Sequence, residues 1–227
     1  MKAVILAAGE GKRMRPLTLT TPKPLLPVNG KPIIEYILES FPPEIEEIII
    51  VVNYLGEQIK KHLGKKNHGK KITYVSGSLK GSACSLLATK KYLKNERFLV
   101  VQGDEIPNPT DMVNCLTREL SCLTFESRNP QANGIGFLRK DGSLKKIIEK
   151  PKTSTSTLGI DGVMVIHTDI FNYIPVRTRG EYYFSTLMSL FVRDHKVFPV
   201  PTQGLIGDLT TPNDLVRVGN ILKLRGR

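Results

Sequence analysis

Short apolar runs alternate with amphipathic stretches through the first half of the chain. Lys2–Ala8, Glu46–Asn53 and Phe98–Gln102 are apolar with little interruption, as strands buried on both faces are, and Ile72–Val75 is a shorter run of the same kind. Between them, Pro32 holds a favourable first-turn position ahead of Ile33, Ile34, Ile37 and Leu38. Gly81-Ser82 opens a helical period with Ala83, Leu86, Leu87 and Leu93 on one face. Strands alternating with helices predict a mostly parallel sheet covered on both sides. After about residue 120 the texture changes. Leu123–Ser127, Gly134–Arg139 and Leu144–Glu149 read as strands, with Asp141-Gly142 as a hairpin signal between the last two. Gly159–His167 follows as a strand, Tyr182–Arg193 as a helix, Val197–Val200 as a strand and Pro212–Leu224 as a closing helix. The pattern predicts one α/β domain: a core over about residues 1–120 plus the closing helix, and a smaller, more antiparallel lobe over about 121–207.

At 227 residues, 40% apolar and 24% charged, the chain is neither disordered nor fibrous. Thirty-three Lys and Arg against 21 Asp and Glu leave a net charge of +12, which favours anionic partners without choosing among them. Lys60, Lys61, Lys65, Lys66, Lys70 and Lys71 cluster with only Tyr54 and Tyr74 at their edges, and Trp is absent. That reads as a solvated face rather than a nucleic-acid groove. The apolar runs are too short for a membrane span, and the N-terminal stretch reads as a buried strand rather than a signal peptide. Cys84, Cys115 and Cys122 show no Cys-x-x-Cys spacing, so neither a disulfide framework nor a zinc site is expected. The expectation is a reduced, cytoplasmic protein with no nucleic-acid or membrane partner; a homo-oligomer is left open.

The loop after the first strand carries the most chemistry. Leu6–Thr18 and Thr21–Pro27 join small residues to Lys12, Arg13, Arg15 and Lys23, with Pro22, Pro24 and Pro27 stiffening the segment around Lys23. Small residues let backbone N–H groups approach a ligand and form an anion-holding concavity. The loop is neither a Walker loop, since Arg13 follows Gly11-Lys12, nor a dinucleotide fingerprint, since Met14 stands at the third glycine. Stiffened cations after a buried strand point to a polyphosphate. Asp104 lies just past the end of Phe98–Gln102, at the sheet edge where open α/β folds bind ligands, though a cap or turn role fits it equally. Asp208 ends another apolar stretch, and Asp214 sits in the first turn of a helix set up by Thr211-Pro212, where it suits the helix dipole better than a ligand. Two carboxylates at strand ends could hold Mg²⁺ together with waters and substrate phosphates. No His-Glu-x-x-His, Gly-x-Ser-x-Gly or paired Cys/His context is present, and His62, His68, His167 and His195 are read as structural or exposed.

In this order, the blocks resemble the sugar-phosphate nucleotidyltransferase (NDP-sugar pyrophosphorylase) family. Leu6–Thr18, Pro22–Val28 and Lys31-Pro32 match its opening signature. Gly81-Ser82-Ala83, Gly103-Asp104, Glu149-Lys150-Pro151 and Asp208–Asp214 match later blocks. The resemblance implies a Rossmann-like nucleotidyltransferase domain joining an NTP to a sugar 1-phosphate, with release of pyrophosphate, in a Mg²⁺-dependent reaction. It implies nucleotide contacts from Leu6, Ala7, Ala8, Gly9, Gly11, Lys12, Arg13, Ser76, Gly81, Ser82 and Asp104, and catalytic roles for Arg13, Lys23, Asp104 and Asp208. Asp104 and Asp208 would be the metal ligands. Arg13 would grip the β- and γ-phosphates, and Lys23 would neutralise the α-phosphate. Gly134, Glu149, Lys150 and Gly162 would meet the sugar phosphate. It also implies that the β-helical extension carried by some relatives is missing.

Several positions depart from the family pattern. Ser76 replaces a base-reading Gln, Glu105 an Asn, Ile160 and Asp161 an Asn-Ala pair, Thr186 an Asp and Thr210 a Gly. Three rival readings are weighed: a non-catalytic regulator of the same fold, a glycosyltransferase, and a cytidylyltransferase using a phosphorylated amino alcohol. The regulator predicts loss of Arg13, Lys23 or Asp104, and all three are present. The glycosyltransferase calls for Asp-x-Asp, which Asp104-Glu105-Ile106 does not supply.

Overall fold

The computed structural model describes residues 1–204, 209–224 and 226. In chain order its strands are β1 (Lys2–Ala7), β2 (Pro27–Val28), β3 (Lys31–Pro32), β4 (Glu47–Val52), β5 (Lys66–Asn67), β6 (Lys70–Ser76), β7 (Arg97–Gln102), β8 (Ser121–Glu126), β9 (Gly134–Leu138), β10 (Leu144–Glu149), β11 (Leu158–His167) and β12 (Phe198–Pro201). The helices are α1 (Ile33–Ser40), α2 (Gly56–Leu63), α3 (Ser82–Leu87), α4 (Pro109–Leu116), α5 (Phe184–Asp194) and α6 (Pro212–Leu224).

Ten strands form one mixed sheet whose main path runs β10-β9-β11-β7-β1-β4-β6-β5; β8 pairs with β11, and β12 with β8. Its centre is parallel, with Ile5 opposite Ile50 on β4 and Val101 on β7. Alternation along these apolar runs divides the core in two. Ala3, Ile5 and Ala7, with Ile48, Ile50, Leu99 and Val101, face α1, α2, α4 and α6. Val4, Leu6 and Ala8, with Ile49, Val51, Phe98 and Val100, face α3 and α5. A strand buried on both faces has no polar position to spare, which explains the uninterrupted runs. The expected antiparallel lobe joins this same sheet through β11, which pairs antiparallel with β7.

Three of the differences from the sequence expectation concern helices. The helix from Gly81-Ser82 ends at Leu87 instead of reaching Leu93. Both the amide and the hydroxyl of Thr89 bond back to the Leu86 carbonyl, at 2.9 and 2.7 Å, and the chain tightens into a 3-10 turn at Lys90–Tyr92. Leu93 still reaches the same core. α5 starts at Phe184 because Tyr182 is engaged elsewhere, its N–H on the Lys80 carbonyl and its carbonyl on the Ala83 N–H. α4 has no counterpart in the sequence expectation. Asn108 caps it, its side chain accepting from the Thr110 N–H at 3.0 Å, Pro109 starts it, and Asp111, Met112 and Cys115 are its buried face. Among the described residues no helix is long and apolar enough to cross a membrane.

Candidate active site

β1 and β7 end side by side and set the site's floor. The Gly103 N–H donates to the Leu6 carbonyl at 2.9 Å. A Cβ at Gly103 would lie 2.9 Å from that same oxygen, so only glycine lets the chain leave β7 with Asp104 alongside the end of β1. From β1 the chain enters the basic loop. Gly11 takes a left-handed conformation (φ 60°, ψ 37°), and its carbonyl accepts from the Met14 N–H and the Thr18 hydroxyl. A Cβ there would press on Thr18 and on Lys23 Cβ at 3.0 and 3.3 Å, so the loop is folded against the segment bearing Lys23.

Lys23 begins a 3-10 turn after Pro22 and is buried at 7% exposure. Its ammonium meets Asp104 Oδ2 at 2.6 Å. Arg13 is exposed in the loop, and Lys12 Nζ lies 2.8 Å from Glu10 Oε2. These groups line a cavity of about 530 Å³ at the carboxyl end of the parallel strands. Leu6, Ala7, Ala8, Gly9, Gly11, Lys12, Arg13, Lys23, Gly81, Ser82 and Asp104 all stand on its wall. Large open α/β sheets bind ligands at this edge.

Ser76 is the exposed last residue of β6 and is absent from the wall, where Ser78, Leu79 and Ser85 stand instead. Ser85 pins that loop: its hydroxyl accepts from the Ser78 N–H and donates to the Ser78 carbonyl, both at 3.0 Å. Asp208 lies outside the described residues. Its neighbour Leu209 donates to the Asp104 carbonyl at 3.2 Å, and Thr210 reaches the cavity wall. Asp214 is fully occupied as a cap, accepting from the N–H groups of Thr210 and Thr211, the Thr211 hydroxyl and the Arg217 guanidinium. Burial works to raise its pKa, but these donors outweigh it and hold the carboxyl below its ordinary value.

Of the four residues implied for the sugar phosphate none lines the cavity; Gly134, Glu149 and Lys150 stand together, and Gly162 lies against Glu105 and Gln102. Gly134 pairs with Glu149 across β9 and β10. Glu149 Oε2 accepts from the Ser185 hydroxyl at 2.6 Å, and Oε1 lies 3.4 Å from Lys150 Nζ. Lys150 Nζ stands 4.8 Å from the centre of the Tyr183 ring, and Tyr183 is on the cavity wall. The Gly162 N–H donates to Glu105 Oε2 at 3.0 Å, and a Cβ at Gly162 would lie 2.2 Å from that oxygen. A side chain at 162 would displace that carboxylate and press on Gln102 Cγ at 2.6 Å. Glu10, Ser85 and Tyr183 are wall residues that the sequence did not single out. Tyr183 lies 79 residues beyond Asp104 and follows no local period.

Nucleophilic chemistry has little support here. Burial pushes the Cys115 thiol up to about 12 and Cys122 well above its ordinary value, so neither supplies a thiolate near neutral pH. His62 and His68 both bond to Glu35, His167 pairs with Asp169, and His195 stacks on Phe191. None of the four is on the cavity wall.

Residues 2–205 match the family model described as Nucleotidyl transferase. The chain is 31% identical over 225 residues to the bifunctional protein GlmU of Methanocaldococcus jannaschii, covering 98% of this chain and 54% of the relative. It is 32% identical over 224 residues to a bifunctional sugar-1-phosphate nucleotidylyltransferase/acetyltransferase of Sulfurisphaera tokodaii, covering 96% of this chain and 54% of that one. The chain thus spans about half the length of these curated relatives. A Bacillus anthracis structure described as a glucose-1-phosphate thymidylyltransferase superposes with a TM-score of 0.83 at 25% identity, covering 97% of this chain and 94% of its own. An apo UDP-glucose pyrophosphorylase superposes with a TM-score of 0.82 at 19% identity, a likeness of fold, with both chains covered completely.

Proposed function

Since the chain belongs to the nucleotidyl transferase family, we propose that it joins an NTP to a sugar 1-phosphate, giving an NDP-sugar and pyrophosphate. One observation carries the reading: Arg13, Lys23 and Asp104, separate in sequence, meet on one cavity wall at the carboxyl end of the parallel strands. The absence of a base or nucleophile triad among the wall residues suits this reaction. A phosphate monoester's second pKa is about 6, so the attacking oxygen is already ionised at neutral pH. What the protein must supply is alignment and charge. Arg13 would hold the β- and γ-phosphates. Lys23, on a proline-stiffened turn, would sit against the α-phosphate, where charge accumulates as pyrophosphate leaves. Glu149 would accept hydrogen bonds from sugar hydroxyls, and Lys150, placed over Tyr183, would meet the sugar phosphate. Gly134 would be the point of closest backbone approach to the sugar, and Gly162, whose N–H the Glu105 carboxylate takes, would meet the sugar only once that carboxylate moves aside.

Asp104 fits a magnesium ion: it is a hard oxygen donor, its side chain is 42% exposed, and it stands on the cavity wall. Mg²⁺ characteristically takes one or two carboxylates and fills its remaining positions with water and substrate phosphates. Asp104 and Asp208 would hold it, and bound there it would neutralise phosphate charge.

The reading is tested by incubating the protein with the NTPs and a panel of sugar 1-phosphates while following pyrophosphate. Release should require both substrates and stop when a chelator removes Mg²⁺. Pyrophosphate from an NTP alone, or none with any pair, would overturn it. A panel that adds phosphocholine tests the amino-alcohol alternative.

Base choice gives a second test. A Gln amide offers both a donor and an acceptor to a pyrimidine edge, whereas Ser76 is short and its hydroxyl adapts to either polarity. Ser76 stands off the wall, two residues before Ser78, so wild type should use more than one NTP, while the longer side chain of Ser76→Gln, if it reaches the base, should shift the kcat/KM ratio toward UTP or dTTP. A single preferred base, unmoved in the variant, would take Ser76 out of base reading.

A further inference from the structure

Among the described residues the cavity wall carries three cations, Lys12, Arg13 and Lys23, and three carboxylates, Glu10, Asp104 and Glu181. For a chain of net charge +12 this balance is unexpected at a site that would bind a polyanion. Asp104 holds Lys23 at 2.6 Å and Glu10 holds Lys12 at 2.8 Å. Among the described residues Arg13 has no ion-pair partner. Asp104 has a metal to hold in the proposed reaction, but Glu10 has no role in it and lies inside the phosphate loop itself.

The placement of Glu10 is built by the backbone. Gly11, left-handed at φ 60°, turns the chain so that the side chains of residues 10 and 12 come together. Glu10 Oε1 also lies 3.9 Å from Arg15 Nη2, so the carboxylate faces two of the loop's cations. Its side chain is 28% exposed and that of Lys12 is 66% exposed. An ion pair so open to water is weak, and it exchanges easily for a phosphate.

We infer that Glu10 competes with the polyphosphate for Lys12, and so sets how tightly the loop holds the triphosphate and how readily it releases pyrophosphate. The inference rests on the reading of the cavity as an NTP site. When phosphate takes Lys12, Glu10 loses its ion pair with that lysine, and this loss opposes binding. When pyrophosphate leaves, the same carboxylate takes Lys12 back. Glu10 is thus an affinity-setting residue that weakens both ends of the reaction.

Calorimetric titration with inorganic pyrophosphate and Mg²⁺ tests this without knowledge of base or sugar. Glu10→Gln keeps the side chain's size and removes its charge. It should tighten pyrophosphate binding roughly twofold to fivefold at low salt, with the gain shrinking as salt rises. The KM for NTP should fall in parallel, and the KM for the sugar phosphate should stay. Adding Lys12→Met should cancel most of the gain, because the effect acts through Lys12. If Glu10→Gln binds pyrophosphate no better than wild type, or the gain survives without Lys12, the inference fails while the NTP reading stands. If wild type binds neither pyrophosphate nor any NTP, the reading of the cavity fails with it.

Discussion

Lys23→Ala should lower turnover by a hundredfold or more while leaving the KM for NTP within a few-fold of wild type. A fixed cation beside a phosphoryl group in transfer is worth about 3 kcal/mol when its stabilisation grows with the developing charge. That energy corresponds to a factor of roughly 150 in rate. Lys23 suits such a role because it is buried, follows Pro22, and is held at 2.6 Å by Asp104, so little reorganisation is needed when charge develops. Alanine keeps the Cβ that packs against Gly11, so the loop should keep its fold. Lys23→Met, which also keeps the buried stem, should be as slow as alanine. Arg13→Ala should differ in kind, depressing NTP affinity and turnover together, because Arg13 would hold the phosphates in both ground and transition states. Steady-state kinetics on the three variants decides the matter. Normal turnover in Lys23→Ala would reduce the basic loop to a surface feature.

Asp104→Asn should cost at least about a hundredfold in turnover, with only part of the loss recovered at high Mg²⁺. The substitution nearly preserves volume and removes the negative charge a hard cation needs. It should leave the protein folded, at some cost in stability: the Asp104 carbonyl still accepts from the Leu209 N–H at 3.2 Å, and the Asn side-chain oxygen can still accept from the buried Lys23 ammonium that Asp104 now holds at 2.6 Å. Thermal unfolding measured alongside the kinetics separates the two effects. A near-wild-type rate at saturating Mg²⁺ would remove Asp104 from the metal site. A large drop in Tm would make it a structural residue instead.

The parts of the fold legible in the sequence are those in which one physical requirement dominates. β1, β4 and β7 are buried on both faces, so their sequences can only be apolar, and their parallel pairing follows from the helices between them. α4 escaped notice because its buried face is only Asp111, Met112 and Cys115, although Asn108-Pro109 was a readable start signal. Its buried Asp111 accepts from the Thr202 hydroxyl and the Gln203 N–H, a partnership across 91 residues that no local pattern announces. The site divides in the same way. The basic loop, Lys23 and Asp104 were legible because cations and an acid follow strand ends, where the fold must open. The presence of Ser78 and Leu79 on the wall, two and three residues beyond Ser76, depends on the Ser85 hydroxyl binding the loop from another element. Tyr183 reaches the wall because α3 and the start of α5 are tied together through Tyr182 and Ser82, and the Ser82 hydroxyl accepts from the Phe184 N–H at 2.9 Å. Contacts of this kind are set by tertiary packing, not by spacing.

The reverse reaction tests the central claim most directly, since it passes through the same transition state and needs no guess about the acceptor's protonation. The protein is incubated with pyrophosphate, Mg²⁺ and a panel of NDP-sugars, and NTP and sugar 1-phosphate are identified by mass spectrometry. The account predicts that at least one NDP-sugar yields both products in equal amounts, and that Lys23→Ala forms them at least about a hundredfold more slowly. No NTP from any NDP-sugar, or equal rates in wild type and Lys23→Ala, would contradict it.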